Sequence, residues 1–228
     1  MSRGGIALKE RRIGAYGGTF DPIHTGHIEI ARALAANFEM DRLLLIPAAR
    51  PPHKHADSIS DVYHRYAMAV LATIDDPRIM VSTIEMEAPE RPYTFETVER
   101  LKAAYGTQVR LFLIIGADSF EEIHAWREPA RLFDETDIIV TARPGCEIRA
   151  SSLPAGCRSK ILDLRGRKSV IEDAEGEDSR RSVYLTDYVK MEISSTEVRH
   201  RIREGCTIDG LVPSEVVGYI EKYEIYRR

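Results

Sequence analysis

Residues 17–27 read GGTFDPIHTGH and lie between an apolar run, residues 13–16, and a segment whose apolar residues recur at helical spacing, residues 28–38. This pattern predicts a buried strand, then a connection, then a helix. Because glycine has no Cβ, the backbone at Gly17 and Gly18 can turn sharply and come close to a ligand. The connection is therefore the place where a ligand can approach the sheet.

The second half of this stretch predicts an anion site. Gly26 and His27 fall near the start of the helix, where unpaired N–H groups and the helix dipole favour negative charge. His24 and His27 are three residues apart, so both imidazoles can face the same opening if the helix begins near Thr25. Taken singly, a Gly-Gly pair can be an ordinary turn and a histidine an ordinary surface residue. Together they predict a polyphosphate site.

The composition is that of one globular domain over residues 1–228. Hydrophobic residues make up 43% of the chain, which is enough for one sizeable core. No apolar run approaches the roughly 20 residues that span a bilayer, and the first residues lack the apolar stretch of a secretion signal. We therefore expect a cytoplasmic protein with no membrane contact.

The net charge and the cysteines of the chain limit the kinds of ligand that it can be expected to bind. A formal net charge of −4 argues against nucleic acid, although basic patches at residues 53–55 and 199–203 could serve a small anion. The three cysteines are odd in number and lack CxxC spacing, so neither disulfides nor a zinc site is predicted. We expect Cys146, Cys157 and Cys206 to be reduced thiols.

Strand and helix patterns alternate through the first two thirds of the chain. Further strands are predicted at residues 42–47, 79–82, 109–115 and 137–143, and helices at 61–74 and 95–105. This alternation predicts an α/β fold, a Rossmann-like, doubly wound parallel sheet with helices on both faces and a small helical C-terminal part. Ligands bind such sheets at the carboxyl ends of the strands, where residues 17–27 lie.

The last third of the chain has a weaker pattern and then a second motif. Residues 145–181 read as a polar, charged excursion, with short strands at 161–164 and 183–185.

In residues 191–228, Ser194 and Glu197 have the spacing of a capping box, which marks a helix start. Arg199 and Arg201 would then lie in its first turns, where the helix dipole disfavours cations. A bound anion would reverse that penalty. The alternative is an ordinary cap followed by surface arginines. A final helix is predicted at residues 214–223.

Residues 17–27 and residues 193–199, ISSTEVR, together resemble the two phosphate signatures of the HxGH nucleotidylyltransferases. The double glycine and the Asp-Pro are most similar to the nicotinate-nucleotide adenylyltransferase family. The resemblance covers nearly the whole chain except the charged excursion. It implies transfer of an adenylyl group from ATP to nicotinate mononucleotide, giving nicotinate adenine dinucleotide and pyrophosphate, in NAD biosynthesis.

The resemblance implies an ATP site built from both motifs and from the end of the strand at residues 109–115. The matching residues are Gly17, Gly18, Thr19, Phe20, His24, Gly26, His27, Gly116, Asp118, Ser194, Ser195, Thr196 and Arg199. The side chains implied to act on the phosphates during the reaction are His24, His27, Lys54 and Arg199. Lys54 lies in a proline-stiffened loop, residues 48–57, which composition alone would allow to be a solvated basic loop.

The resemblance also implies an acceptor site formed by Tyr93, Thr94, Asp118, Trp126 and Arg143. Tyr93 and Thr94 would offer backbone N–H groups to the pyridine carboxylate, Trp126 would stack on the pyridine, and Arg143 would meet the mononucleotide phosphate. Each residue has an ordinary alternative that the sequence leaves open. Thr94 and Asp118 could cap helices, Trp126 could be core packing, and Arg143 could be a surface charge.

The sequence shows no carboxylate cluster that would cage a metal, so the resemblance implies Mg²⁺ carried by the phosphates of ATP. The implied partners are ATP and nicotinate mononucleotide, and whether the chain forms a homo-oligomer is left open. Two other functions also stay open. One is a related nucleotidylyltransferase acting on nicotinamide mononucleotide or phosphopantetheine, and the other is a module that senses a nucleotide without turnover.

Overall fold

The computed structural model describes residues 10–51, 59–90, 92–106, 108–142, 161–166, 182–189 and 191–227. Its strands are β1 Arg11–Gly18, β2 Arg42–Pro47, β3 Ile79–Val81, β4 Val109–Gly116, β5 Asp137–Thr141, β6 Ile161–Asp163 and β7 Val183–Thr186. Its α-helices are α1 Thr25–Asn37, α2 Val62–Thr73, α3 Thr94–Tyr105, α4 Ala117–Glu121, α5 Pro129–Glu135, α6 Ser195–Arg203 and α7 Ser214–Lys222. A 3₁₀ turn, Ile123–Ala125, lies between α4 and α5.

The described strands form one parallel sheet with the order β3-β2-β1-β4-β5-β7-β6. The chain moves outward from β1 in one direction, through β2 to β3, and then returns to add β4 on the other side of β1. The order therefore reverses between β1 and β4. In open α/β sheets the crevice at such a reversal, outside the carboxyl ends of the strands, is where ligands bind.

Helices cover both faces of the sheet. Successive residues of a strand point to opposite faces, so neighbouring residues enter different apolar clusters. Leu43 and Leu45 lie in one buried cluster with residues of α1, α2, α6 and α7. Leu44 and Ile46 lie in a second cluster with residues of α3, α4 and α5. The predicted doubly wound α/β fold is thus confirmed, and the domain bounds at residues 1–228 stay a prediction.

The structure decides against one alternative for Thr94. Tyr93 is the N-cap of α3 and Thr94 is the first helical residue, so Thr94 does not cap this helix. The Tyr93 N–H donates to the Glu96 carboxylate at 2.8 Å, and the Thr97 N–H donates to the Tyr93 carbonyl at 3.1 Å. The helix start is therefore stabilised by the Glu96 side chain and not by a threonine hydroxyl.

The region after β4 also differs from the sequence-based expectation. The short helices α4 and α5 were not predicted, because elements of five and seven residues carry too few apolar repeats for periodicity to show. Gly116 is the N-cap of α4 and Asp118 lies within its first turn, so Asp118 does not cap this helix. Asp118 is exposed at the carboxyl end of the sheet.

The predicted strands near residues 161–164 and 183–185 are confirmed as β6 and β7 at one edge of the sheet. Residues 161–163 therefore belong to the sheet and are not part of a solvated excursion. The rest of the predicted excursion lies outside the described residues, apart from the turn that follows β6. So do Cys146 and Cys157, whereas Cys206 is an exposed free thiol. No helix in the described ranges is long and apolar enough to cross a membrane.

Candidate functional site

The two histidines of residues 17–27 form one compact unit at the start of α1. His24 is the N-cap, and the ring centroids of His24 and His27 lie 3.6 Å apart in a stacked arrangement. The His24 N–H donates to Nδ1 of His27 at 3.3 Å. Because Nδ1 accepts this bond, the proton of a neutral His27 sits on Nε2, which is then a donor. The prediction that both imidazoles share one opening fits this geometry.

The buried ring of Phe20 supports this pair. It contacts His27 edge-on, with centroids 5.1 Å apart, and it contacts Tyr16 in the same manner at 5.6 Å. Phe20 has a φ of +50°, a conformation that a bulky residue holds only when its surroundings fix it. The ring of Phe20 therefore has a packing role, and any contact with a nucleotide comes from its backbone.

The glycines of the predicted site fall into two groups. A Cβ on Gly18 would lie 2.7 Å from the Phe20 ring, and one on Gly26 would lie 3.1 Å from Nδ1 of His24. These two glycines are required by the packing of the motif itself. A Cβ on Gly17 or Gly116 would meet no atom of the described residues within 4 Å. Gly17 and Gly116 end the neighbouring strands β1 and β4, so they border open space at the crevice.

The two predicted phosphate motifs are in direct contact, although they lie far apart in sequence. The Ser195 hydroxyl donates to the Pro22 carbonyl at 2.9 Å, across 173 residues. Nη1 of Arg199 donates to the Asp21 carbonyl at 2.6 Å, across 178 residues. The prediction that these segments fold toward one another is confirmed.

The contacts at the start of α6 distinguish Arg199 from Arg201. The Ser194 hydroxyl accepts from the Glu197 N–H at 3.1 Å, which confirms the predicted cap. Glu197 itself accepts from Arg201 at 2.8 Å, and both side chains of this pair are exposed. Arg199 is different, since only 15% of its side chain is exposed and it faces the first motif. The alternative of a surface arginine therefore holds for Arg201 but not for Arg199.

The first turn of α1 offers fewer free donors than the sequence suggested. The Thr25 N–H and the Thr25 hydroxyl both donate to the Leu211 carbonyl, at 2.9 Å each. This contact ties the helix start to the segment before α7. The backbone donor at Thr25 is therefore used within the protein, and an anion must be met by the neighbouring groups of the motif.

The two predicted acceptor segments also come together. The Arg127 guanidinium lies over the Tyr93 ring, 4.9 Å from its centroid, which is within cation–π range. Arg127 directly follows Trp126, and Tyr93 directly precedes Thr94. Trp126 is partly buried against the second apolar cluster, so part of its surface remains open. Lys54 and Arg143, the other predicted cations, lie outside the described residues.

Sequence reasoning missed Arg65, a fully buried cation beneath the site. It donates to three carbonyls: Nη1 to Thr19 at 2.8 Å, Nη2 to Ala48 at 2.8 Å and Nε to Ser60 at 2.9 Å. Burial lowers the pKa of Arg65, and the nearby Asp21 carboxylate acts in the opposite direction. Arg65 thus fixes the loops that leave β1 and β2. One signal existed, since Arg65 is in register with the buried face of α2.

Asp21 and Tyr226 were also missed as partners. Asp21 is 1% exposed, and its Oδ1 accepts from the Tyr226 hydroxyl at 2.6 Å, across 205 residues. Burial, and secondarily the Asp21 carboxylate, raises the pKa of Tyr226. The hydroxyl is therefore a neutral donor at physiological pH. No local pattern could have paired an aspartate in the first motif with a tyrosine near the end of the chain.

Comparison with known proteins matches this arrangement. A family model described as cytidylyltransferase-like covers residues 15–201, and the chain belongs to that family. More narrowly, its relatives are nicotinate-nucleotide adenylyltransferases, so the resemblance inferred from the two motifs is confirmed. A probable nicotinate-nucleotide adenylyltransferase of Thermoanaerobacter is 36% identical over 96% of each chain. One from Moorella thermoacetica is 33% identical over 97% of this chain and 94% of its own.

Solved structures show the same fold. The Plasmodium falciparum nicotinic acid mononucleotide adenylyltransferase complexed with NaAD aligns with a TM-score of 0.71. The alignment covers 95% of this chain and 97% of that one, at 19% sequence identity. At this identity the likeness bears on the fold alone, and it supports the doubly wound sheet described above.

Proposed function

We propose that this chain transfers the adenylyl group of ATP to nicotinate mononucleotide, forming nicotinate adenine dinucleotide and pyrophosphate, as a step of NAD biosynthesis. The observation that carries the proposal is the contact between the two motifs. Ser195 and Arg199 donate to the backbone of Pro22 and Asp21, and this contact supports a single phosphate site formed by both segments. The names of the full-length relatives support the same reaction.

The reaction needs no nucleophilic side chain. A phosphate oxygen of the mononucleotide attacks the α-phosphorus of ATP, and the bond from that phosphorus to the oxygen bridging the β-phosphate breaks. Pyrophosphate leaves with the bonding electrons. The protein contributes by holding the two phosphates in line and by neutralising charge on the departing oxygens.

His24, His27, Lys54 and Arg199 are the side chains we assign to that charge. Nε2 of His27 is a donor for as long as Nδ1 accepts from the His24 backbone. Arg199 can present a planar fork of N–H groups to phosphate oxygens. Gly17 and Gly116 leave room at the ends of β1 and β4 for the nucleotide to approach the backbone. The further ATP contacts that we propose are Gly18, Thr19, Phe20, Gly26, Asp118, Ser194, Ser195 and Thr196.

For the acceptor we propose contacts with Thr94, Asp118, Trp126 and Arg143, beside Tyr93. The Tyr93 N–H already donates to Glu96, so we assign recognition of the pyridine carboxylate to the Thr94 N–H at the start of α3. A helix N-terminus favours a carboxylate over a neutral amide, which supports nicotinate over nicotinamide. The exposed Asp118 can accept from a ribose hydroxyl.

Magnesium, by this proposal, arrives on ATP. Among the described residues no group of three His, Cys, Asp or Glu side chains could hold a metal ion. Phosphate oxygens and water are ordinary ligands for Mg²⁺, and the ion would lower the charge of the leaving pyrophosphate. A cytoplasmic location and a possible homo-oligomer stay as proposals beside this one.

The deciding experiment measures pyrophosphate release with ATP and three acceptors, namely nicotinate mononucleotide, nicotinamide mononucleotide and phosphopantetheine. We expect release with the first, together with nicotinate adenine dinucleotide by chromatography. A preference for nicotinamide mononucleotide would reject the specificity assigned to Thr94. ATP binding without release for any acceptor would instead indicate a nucleotide-sensing module.

A further inference from the structure

We propose that Tyr226 is a positioning residue for ATP: its hydroxyl holds the Asp21 carboxylate back from Arg199, so that the guanidinium stays available to phosphate. The inference rests on the proposed function, since it takes Arg199 as a phosphate ligand. It adds a role for the end of the chain, which neither phosphate motif contains.

The two oxygens of the Asp21 carboxylate accept hydrogen bonds from different partners. Oδ1 accepts from the Tyr226 hydroxyl at 2.6 Å, and Oδ2 accepts from the Ser60 N–H at 3.4 Å. Oδ2 also forms an ion pair with Nη1 of Arg199 at 3.8 Å, a distance that is too long for a hydrogen bond. The hydrogen bond of Nη1 goes to the backbone carbonyl of Asp21, at 2.6 Å. The arginine is therefore anchored to the loop through the backbone, and the carboxylate attracts it without a direct hydrogen bond.

Removing the Tyr226 hydroxyl would remove the hydrogen bond to Oδ1 of Asp21. A buried carboxylate that loses a donor seeks another, because an unpaired buried charge is costly. Within the described ranges, two cations face Asp21, namely Arg65 and Arg199, and Arg65 is already held by three carbonyls. Arg199 can close the remaining gap with a small rotation. A hydrogen-bonded ion pair would use N–H donors and charge that a phosphate needs.

Arg199 has donors to spare only while the Asp21 carboxylate makes no hydrogen bond to it. A guanidinium carries five N–H groups. The contacts described for Arg199 use one at the Asp21 carbonyl and one at the Thr196 hydroxyl, 3.2 Å away. Thr196 belongs to the same motif, so both anchors orient the guanidinium along the start of α6. The unused N–H groups are the ones that we assign to phosphate.

The segment that carries Tyr226 is fixed in place. After α7, the Ile225 N–H donates to the Ile220 carbonyl at 3.1 Å, and the Ile225 side chain is buried in the same cluster as α1 and α2. Tyr226 itself has a φ of +69°. Contacts within the protein therefore deliver the hydroxyl to Asp21.

The test is Tyr226→Phe, which removes the hydroxyl and keeps the ring. In the pyrophosphate assay we expect the KM for ATP to rise about tenfold, as for loss of a hydrogen bond to a charged group. The KM for nicotinate mononucleotide should stay unchanged. The matched control is Tyr223→Phe, since that half-exposed ring packs with His64 of α2 and Tyr219 of α7, and it should leave both KM values unchanged.

A double-mutant cycle gives the second measurement. Asp21→Asn removes the charge that attracts Arg199, so adding Tyr226→Phe to it should change the KM for ATP little further. The double variant also avoids a buried unpaired charge and serves if Tyr226→Phe alone does not fold. An equal tenfold rise in both backgrounds would overturn the inference.

Failure of this inference can be told apart from failure of the proposed function. If Arg199→Gln raises the KM for ATP but Tyr226→Phe changes only thermal stability, the positioning role is wrong and the phosphate role of Arg199 stands. If Arg199→Gln leaves the KM for ATP unchanged, the phosphate role assigned to Arg199 is wrong, and the role of Tyr226 falls with it.

Discussion

Replacing Arg65 with methionine should be one of the most damaging single substitutions in α2. The guanidinium is buried and donates to the carbonyls of Thr19, Ala48 and Ser60. Methionine keeps an unbranched apolar stem of similar length, so it leaves little cavity. What it removes is the charge and every donor, so three carbonyls lose the partner that joins them.

The expected loss follows from those bonds. Hydrogen bonds from a charged donor contribute about 1.5–3 kcal/mol each and are not additive. Breaking a buried charge cluster by removing one partner costs about 3–5 kcal/mol, and we take this as the estimate for Arg65→Met. For a chain of this size each kcal/mol corresponds to about 2–4 °C in Tm, so the melting temperature should fall by roughly 6–20 °C.

The assay is urea and thermal unfolding followed by circular dichroism, with Arg32→Met as the control. Arg32 also makes a two-pronged pair, with Asp75 at 2.9 and 3.0 Å, but it lies at the surface. Its side chain is 35% exposed and that of Asp75 is 70% exposed, so the loss should stay below about 1 kcal/mol. Equal losses for the two variants would refute the reasoning, because burial would then not decide the value of an arginine.

Three further substitutions test the site by enzyme assay and unfolding. His27→Ala should lower turnover about a hundredfold or more, as loss of one transition-state donor typically does; near-normal pyrophosphate release would count against its role. Gly18→Ala should lower both stability and turnover by pushing the Phe20 ring, whereas Gly17→Ala, which meets open space, should weaken ATP binding and leave the melting temperature almost unchanged. Arg127→Gln should raise the KM for nicotinate mononucleotide several-fold. Arg131→Gln, whose guanidinium pairs with Glu99 of α3 and Glu135 of α5, should not; equal effects would reject a role for Arg127.

The elements with strong local patterns could be predicted from the sequence. The apolar run before residue 17 became β1, and the helix predicted from the apolar spacing of residues 28–38 became α1, which begins at Thr25. The contact between the two phosphate motifs could be predicted only through the family resemblance, since no local signal joins Ser195 to Pro22. The cap of α3 could not be decided from the sequence, because α3 begins at Thr94, one residue earlier than the predicted helix at 95–105, and its N-cap is Tyr93.

The shape of the first motif is set by hydrogen-bond donors that lie elsewhere in the chain. Arg65 from α2 holds the Thr19 carbonyl, Arg199 from α6 holds the Asp21 carbonyl, and Tyr226 after α7 holds the Asp21 carboxylate. Each contact is buried or half-buried, so each is less screened by solvent than a surface pair would be. A chain could therefore keep GGTFDPIHTGH intact and still lose the geometry that binds a phosphate. It follows that the motif gives the identity of the site, whereas these three distant side chains give it the conformation in which it can act.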